Sequence, residues 1–427
     1  MNYTKEVKIK DFKITSLGGN IAEIGAGVDA IMQFDYFESI FKPSVEARLL
    51  ITSRVKIIST LPIIGTEKVE LTIDHPSKSL EFTEWVVQGA SEISTSSTQT
   101  VTEIILTTPQ NVTQELEQYR LTSRYEPNIK ISEHVTSILK GLQIPSDRID
   151  IEATANGYGF YGNFWRPFKA IYWLAKRSIS TGGGDRAGFL FWQTYDGYKF
   201  KSIDTIASQG KESSVSYKQV EYTDNLDQVD NFRIFNPLME YNQNIIRTLR
   251  TGGYGDRTLF FNPYGLPQNN QPSDQHEYNT TFGKTDSFGT DDLQKRGLGV
   301  GNKPTNVDVQ PYVGGTMTTD GTMTEEDDSG LPHKWMSQSN IRYQQMLSQS
   351  QRVTLPMNLD LSAGDPIDLK LISPNEGLDS HESGVYLIKD IRHTISFTDG
   401  VQCYSHLRCI RDNYGNETSN TTGLLNS

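Results

Sequence analysis

The sequence predicts a mainly β chain of α+β class. It comprises two similar antiparallel β-barrel domains, a small α/β domain between them and a loop-rich insertion in the second barrel. Three observations carry this prediction. First, GVYLIKDIRHTISFTDGVQCYSHLRCIR, Gly384 to Arg411, holds two β-rich runs meeting at Asp399-Gly400, a dipeptide that tolerates the positive φ angles of a tight hairpin turn. Second, GDPIDLKLI (Gly364 to Ile372), just upstream of that hairpin, has a counterpart near the other end of the chain, GTEKVELTI (Gly65 to Ile73). With one gap, Val69-Glu70-Leu71 lies against Ile367-Asp368-Leu369. The first copy is also followed by a hairpin candidate, Glu84 to Ile93 and Thr100 to Leu106 around the Ser/Thr-rich turn Ser94 to Gln99. Third, between the copies the apolar period changes from two to that of a helix.

Taken in order, residues 5 to 60 alternate apolar and polar positions in short runs such as Val7/Ile9 and Ile31/Phe34/Tyr36. Phe34 to Ser53 then leads through a Pro-marked corner into the first copy. His75-Pro76-Ser77-Lys78 reads as a loop, because Pro76 supplies no donor to a strand ladder. About seven strands in so short a stretch argue for a small barrel or sandwich. Ile131, Val135, Ile138, Leu139 and Leu142 recur at helical spacing behind Ser132 as N-cap, and Ile144-Pro145 ends that helix. A second helix starts at Arg166-Pro167, where proline's missing N–H costs nothing. After Gly182-Gly183-Gly184 comes a hairpin, Phe189 to Tyr195 and Tyr198 to Ile203, turning at Asp196-Gly197.

Ser214 to Ile234 reads as a strand leading out to a sheet edge. Thr251 to Lys334 is rich in Gly, Asn, Asp, Thr and Pro and poor in aliphatics, with only short β-like pieces such as Thr258 to Phe261. Such composition buries too little apolar surface to offset chain ordering, so part of it is expected to be ordered only by neighbours. Trp335 to Gln349 reads as a connector helix, and Gln351 to Leu361 re-enters the β pattern. The resulting division is 1–124, first β-barrel; 125–207, α/β domain; 208–245 with 350–412, second β-barrel; 246–349, loop-rich insertion with connector helix; and 413–427, a polar C-terminal tail.

A chain of 427 residues can bury several cores. Its formal charge of −12, from 40 basic and 52 acidic residues, comes without a Lys/Arg run long enough to hold phosphates, which argues against tight nucleic-acid binding. The N-terminal MNYTKEVKIKDF lacks the apolar segment of a signal peptide. No stretch approaches the roughly 18 apolar residues of a spanning helix, so a soluble, cytosolically made chain without membrane insertion is expected. The sequons at Asn111 and Asn279 then read as loop sequence. Cys403 and Cys409 fall on one predicted strand, about 20 Å apart at about 3.3 Å per residue, and so cannot bridge each other.

No constellation for catalysis, cofactor binding or metal binding emerges. His393 and His406 face each other across a two-residue turn, but no Cys or carboxylate stands at the spacing a zinc site needs, so paired surface imidazoles are the simpler reading. The tracts Gly252 to Gly255 and Gly297 to Lys303 neither follow a strong strand nor open a helix, which makes them linkers rather than phosphate loops. Glu325 to Asp328 lacks the spaced ligands of a calcium loop. The aromatics Tyr158, Phe160, Tyr161, Phe164 and Trp165 are the main site candidate, as a sugar-stacking surface, a subunit interface or the core of the α/β domain. No GxSxG elbow supports a hydrolase.

In order along the chain, FESIFKPSVEARLLI, LPIIGTEKVELTI, FKAIYWLAKRS, GFLFWQTYDGYKFKSID (Gly188 to Asp204), Ser339 to Leu371 and the final hairpin resemble the baseplate hub protein of contractile-tailed bacteriophages. They are similar also to the hub part of type VI secretion spike proteins. The resemblance covers most of the chain apart from 251–334 and the tail. It implies a structural virion protein without enzymatic activity or cofactor, assembled in the host cytoplasm and located in the tail baseplate. It implies a homotrimer whose six similar units form a pseudo-six-fold ring joining a six-fold tail tube, or its initiator protein, to a trimeric central spike. Other baseplate (wedge) proteins are further implied partners, and DNA would pass the lumen without specific binding. An acidic lumen would suit that passage. The hairpins at Asp399-Gly400 and Ser94 to Gln99 are then candidates for lining the ring or meeting the tube. The competing reading is a β-rich carbohydrate-binding tail adhesin using the Tyr158 to Trp165 aromatics. A secretion-spike hub is expected to continue into a C-terminal β-prism, for which the tail NETSNTTGLLNS leaves no room.

Overall fold

The computed structural model describes residues 2–411 except 24–30, 55–57, 59–60, 62, 97, 183–186, 209–213, 221–230, 242–243, 252–254, 262–272, 278–305, 312–315, 318–322, 325–334, 374–376 and 380–381. The first unit contains β1 (Lys8–Thr15), β2 (Ile31–Ser39), β3 (Glu46–Ser53), β4 (Lys68–Asp74), β5 (Ser79–Thr95) and β6 (Thr100–Thr107). Side by side they run β1-β4-β5-β6-β3-β2. Strict alternation on β3 and β4 turns Ala47, Leu49, Ile51, Val69, Leu71 and Ile73 inward, where they meet Phe34, Tyr36, Phe82 and Trp85 in one core.

The middle domain follows. Its helices are α1 (Ile131–Gly141) and α2 (Pro167–Ala175), and its strands β7 (Ile149–Ile151), β8 (Phe189–Thr194) and β9 (Gly197–Ser202) form a sheet ordered β8-β9-β7. Pro167 takes the first helical position behind Arg166, as the sequence suggests. Ser132 does not cap α1. Lys130 is the N-cap, and the Ser132 hydroxyl instead accepts the Thr154 backbone N–H at 3.2 Å inside the domain. The hairpin turn is also one residue earlier than expected. Thr194 pairs with Gly197, so Tyr195-Asp196 form the turn, while Gly197 opens β9 at φ 144° where a Cβ would come within 2.4 Å of the Arg148 carbonyl.

The second unit contains β10 (Val215–Gln219), β11 (Leu238–Tyr241), β12 (Gln349–Pro356), β13 (Pro366–Lys370), β14 (Gly384–Ser396) and β15 (Gln402–Arg411). Their lateral order, β10-β13-β14-β15-β12-β11, repeats that of the first unit strand for strand. The one difference in direction is that β10 runs parallel to β13 whereas β1 runs antiparallel to β4.

Register matches as well as order. Val69 pairs with Trp85 and Ile367 with Tyr386, and all four are buried. Each long strand then shifts register against its hairpin partner, between Val87 and Gly89 in β5 and between Ile388 and Asp390 in β14. The backbone bonds Thr66 N–H to Val87 O and Gly364 N–H to Ile388 O, both 2.8 Å, occupy the same place in the two units. So do two carboxylates that accept backbone N–H groups three residues back: Glu67 from Ile64 (2.7 Å) and Asp365 from Ser362 (2.8 Å). The structural counterpart of Gly364 is therefore Thr66, not Gly65, and both take positive φ, 94° and 71°.

The two units are not separate sheets. The distal half of β14 pairs with β2, from Asp390–Ser39 to Ser396–Gln33, so both units belong to one 14-stranded sheet. Among the described residues no ladder closes either unit; the sheet curls over two cores instead. The insertion holds more β structure than its composition suggests, with Gly255–Phe261 flanked by Ser273–Glu277 and Asn306–Pro311. The connector helix spans Met336–Gln345, shorter than expected because Gln349 already begins β12. Gly252 to Tyr254, residues 297–303, the acidic run 325–328 and the tail 413–427 lie outside the described residues.

Candidate functional site

The feature on which the molecule turns is the junction where the two units and the middle domain meet. Its keystone is β8, buried along its whole length. Alternation sends Phe189 and Phe191 into the middle domain's core, and Leu190 and Trp192 into that of the second unit. Trp192 donates its indole N–H to the Ala363 carbonyl at 2.9 Å. Its ring lies against Gly364, where a Cβ would stand 2.7 Å from Cζ2. Tyr195, in the turn after β8, reaches β5: its hydroxyl accepts the Glu81 N–H at 2.9 Å.

Glu38, on β2, ties the three bodies together. Its carboxylate accepts the Tyr36 hydroxyl (2.7 Å), the Tyr195 backbone N–H (2.8 Å) and the Ala363 backbone N–H (2.9 Å). Burial pushes its pKa up to about 7, although those hydrogen bonds and Lys199 favour the charged form. Beside it Tyr36 stacks on His393, whose Nδ1 lies 2.8 Å from the Ser405 hydroxyl. Burial lowers the His393 pKa to about 3, so the ring is neutral. On the other face of the same strand pair, Arg392 forms a bidentate ion pair with the buried Asp35, at 2.9 and 3.0 Å, and Thr394 adds a hydroxyl donor at 2.8 Å.

His393 and His406 do not form a pair. Ser396 faces Gln402, which leaves five residues in the turn and shifts the register by one from that of a two-residue turn. His393 thus faces Ser405 on the inner face, while His406 faces Arg392 and points outward. Cys403 and Cys409 are free and buried. No group of three or more His, Cys, Asp or Glu among the described residues is placed to hold a metal ion. A groove of about 520 Å³ beside the junction gathers Arg352, Arg392 and Arg408, but each of these is ion-paired, to Asp35, Asp390 or Glu240, so the groove offers no phosphate-binding cluster.

The aromatic cluster splits. Phe160 is buried and stacked on Tyr125 at 4.3 Å, while Tyr158 and Trp165 pack edge-on against Trp173, each at 5.3 Å. Tyr161 and Phe164 alone project, 60% and 67% exposed, from a turn in which Asn163 and Phe164 take positive φ. The five rings therefore do not make one sugar-stacking platform. Sequence reasoning missed the anchors of the connector helix. Arg177 lies between the Trp173 ring (3.7 Å) and the Trp335 ring (4.9 Å), and Arg342 forms a buried ion pair with Asp204 at 2.6 Å. It also missed Glu38, two of whose three donors, the Tyr195 and Ala363 N–H groups, come from residues remote in sequence.

No described helix is long and apolar enough to cross a membrane. No family model matches the sequence, and no curated protein does. Among solved structures the chain is similar to the 43 kDa tail protein of prophage MuSo2 from Shewanella oneidensis, at a TM-score of 0.54 and 11% identity over 96% of this chain and 100% of that one. It is similar to the same degree, TM-score 0.54 and 8% identity, to the tail protein from Neisseria meningitidis MC58, over 96% of this chain and 98% of that one. Across nearly its whole length, then, the chain has the fold of these two tail proteins.

Proposed function

We propose that this chain is the central hub of a contractile-tail baseplate, a structural protein that joins the tail tube to the spike. The observation that supports it best is the strand-for-strand duplication, within one chain, of a unit whose two copies are joined edge to edge. Three such chains supply six similar units, a natural seat for a six-fold tube on one side and a three-fold spike on the other. Other baseplate proteins would bind around the ring, and the virion tail is its location. DNA would cross the ring's opening without specific contacts, and the net charge of −12 favours that passage if acidic residues line it. In this reading no step is chemical: the Glu38 and Asp35 carboxylates and the His393 imidazole at the junction are held in structural bonds.

Light scattering after size exclusion tests the reading. A mass near three times 48.0 kDa, followed by electron micrographs of rings with six similar lobes, is the expected result. A neutral or basic lumen in an atomic structure of the ring would remove the electrostatic part of the proposal. Rings without six similar lobes would remove the reading itself.

A further inference from the structure

The two units differ where their matched registers place an aromatic ring beside the end of a strand. Val86 pairs with Thr107 as Leu387 pairs with Ile410, so Trp85 corresponds to Tyr386 and Thr108 to Arg411. In the second unit the Arg411 guanidinium lies over the Tyr386 ring, 4.5 Å from its centroid. It donates to the Ser383 carbonyl at 3.1 Å and to Gln349 Oε1, and both Arg411 and Tyr386 are buried. In the first unit the corresponding side chain is a threonine, too short to reach over Trp85, and its hydroxyl donates to Gln193 Oε1 at 3.3 Å. Trp85 and Thr108 both line a cleft of about 260 Å³ between the first unit and the middle domain.

The wall of this cleft suits a cation. Its charged groups are Glu81, Glu84 and Arg148, two carboxylates against one guanidinium. Both glutamates are exposed, and among the described residues neither is ion-paired. Tyr198, 2% exposed, lines the same cleft, and its hydroxyl has no hydrogen-bond partner among the described residues. Thr108 stands beside it without closing a bond, so the hydroxyl is free to accept an N–H. The volume falls below the roughly 300–1,000 Å³ of small-molecule sites and suits one long side chain.

We infer that the cleft receives an arginine side chain from a partner protein, its guanidinium against Trp85 as Arg411 lies against Tyr386, with Glu81 and Glu84 as counter-charge. Arginine fits better than lysine, because a planar guanidinium can rest on an indole while its N–H groups reach the carboxylates and the Tyr198 hydroxyl. The second unit supplies this group from its own chain and the first leaves the place open, so two otherwise similar units would be told apart by the partner.

Calorimetric titration of the full-length protein tests it, with the end-capped tripeptide Gly-Arg-Gly as probe and the same peptide carrying citrulline, the neutral isostere, as control. The arginine peptide should bind saturably and the citrulline peptide at least about tenfold more weakly, as expected for losing a charge-assisted contact. Glu81→Gln/Glu84→Gln, at two exposed positions, should weaken the arginine peptide by a similar factor and leave the citrulline peptide unchanged. Thr108→Arg, which supplies the side chain from within, should abolish binding; if that variant does not fold, the glutamine variant decides alone. No saturable binding, equal binding of the two peptides, or an unaffected glutamine variant overturns the site. Binding that breaks an assembled form into single chains would make the occupant a second copy and overturn the assignment to a partner. None of these outcomes alters the mass or symmetry on which the hub reading depends.

Discussion

Replacing Glu38 by glutamine isolates the energetics of the junction. Burial raises the Glu38 pKa from 4.5 to about 7, so the folded state prefers the protonated acid. The Tyr36 hydroxyl can turn from donor to acceptor to receive that proton. The associated stability is therefore fully present below about pH 4.5 and is lost as pH rises through about 7. At roughly 1.4 kcal/mol per pH unit, this interval is worth about 3 kcal/mol. Glutamine cannot titrate, and its amide can accept from only one side, which leaves either the Tyr195 or the Ala363 N–H without a partner at a pH-independent cost of about 1–3 kcal/mol. Urea unfolding followed by tryptophan fluorescence, for both proteins from pH 4.5 to 8, reads the difference. The variant should be clearly weaker at pH 5 and approach or pass the wild type at pH 8. Burial lowers the pKa of His75, His134, His393 and His406, which acts in the opposite direction but cancels in the comparison. Parallel pH profiles for the two proteins would refute the assignment of Glu38 as a buried, titrating tie.

Further perturbations probe the other parts of the junction. Trp192→Ala opens a cavity in the second core and removes the bond to Ala363; it should cost about 3–5 kcal/mol in denaturation and expose the β8 hairpin to limited proteolysis. Gly364→Ala should cost about 2–3 kcal/mol, because φ is 94° and the new Cβ meets the Trp192 ring. Gly400→Ala, at φ 88° but with nothing within 4 Å, should cost only about 1 kcal/mol in the same assay. Arg392→Met strands the buried Asp35 and should lower stability by about 3 kcal/mol, with protection from hydrogen exchange lost first along β2. Burial pushes the Cys403 thiol up to about 12 and raises Cys409 as well, so a thiol reagent at pH 8 should label neither until the protein unfolds.

The duplication was legible because strands buried on one face must alternate, and Val69/Leu71 and Ile367/Leu369 alternate in the same setting. What local patterns do not encode is which edge each strand offers to another. That is why two barrel domains were expected without the ladder that joins them into one sheet: nothing near β14 announces that its distal half will meet residues 33–39. Turn errors have the same origin. Asp196-Gly197 and Asp399-Gly400 both contain a glycine that tolerates positive φ, yet Gly197 is needed at the start of a strand, and the second dipeptide sits inside a five-residue turn. In the aromatic stretch the sequence could not separate Phe160, which faces the domain's core, from Tyr161, which faces water. Glu38 was invisible as a site because its donors lie at positions 36, 195 and 363.

The β2–β14 pairing also imposes a schedule on biosynthesis. Asp35 leaves the ribosome 357 residues before its partner Arg392, a delay of roughly 20–70 s at the usual rates of translation. During that interval β2 is an open edge that another nascent chain can meet, and the first unit's core still lacks Met357, Leu359, Ile395 and Cys403, which complete it. Internal capture must therefore win over a trans encounter that is available much earlier. Slowing translation of the last third of the gene, or crowding polysomes with full-length messages, would raise the yield of strand-exchanged aggregates without altering the finished monomer's stability.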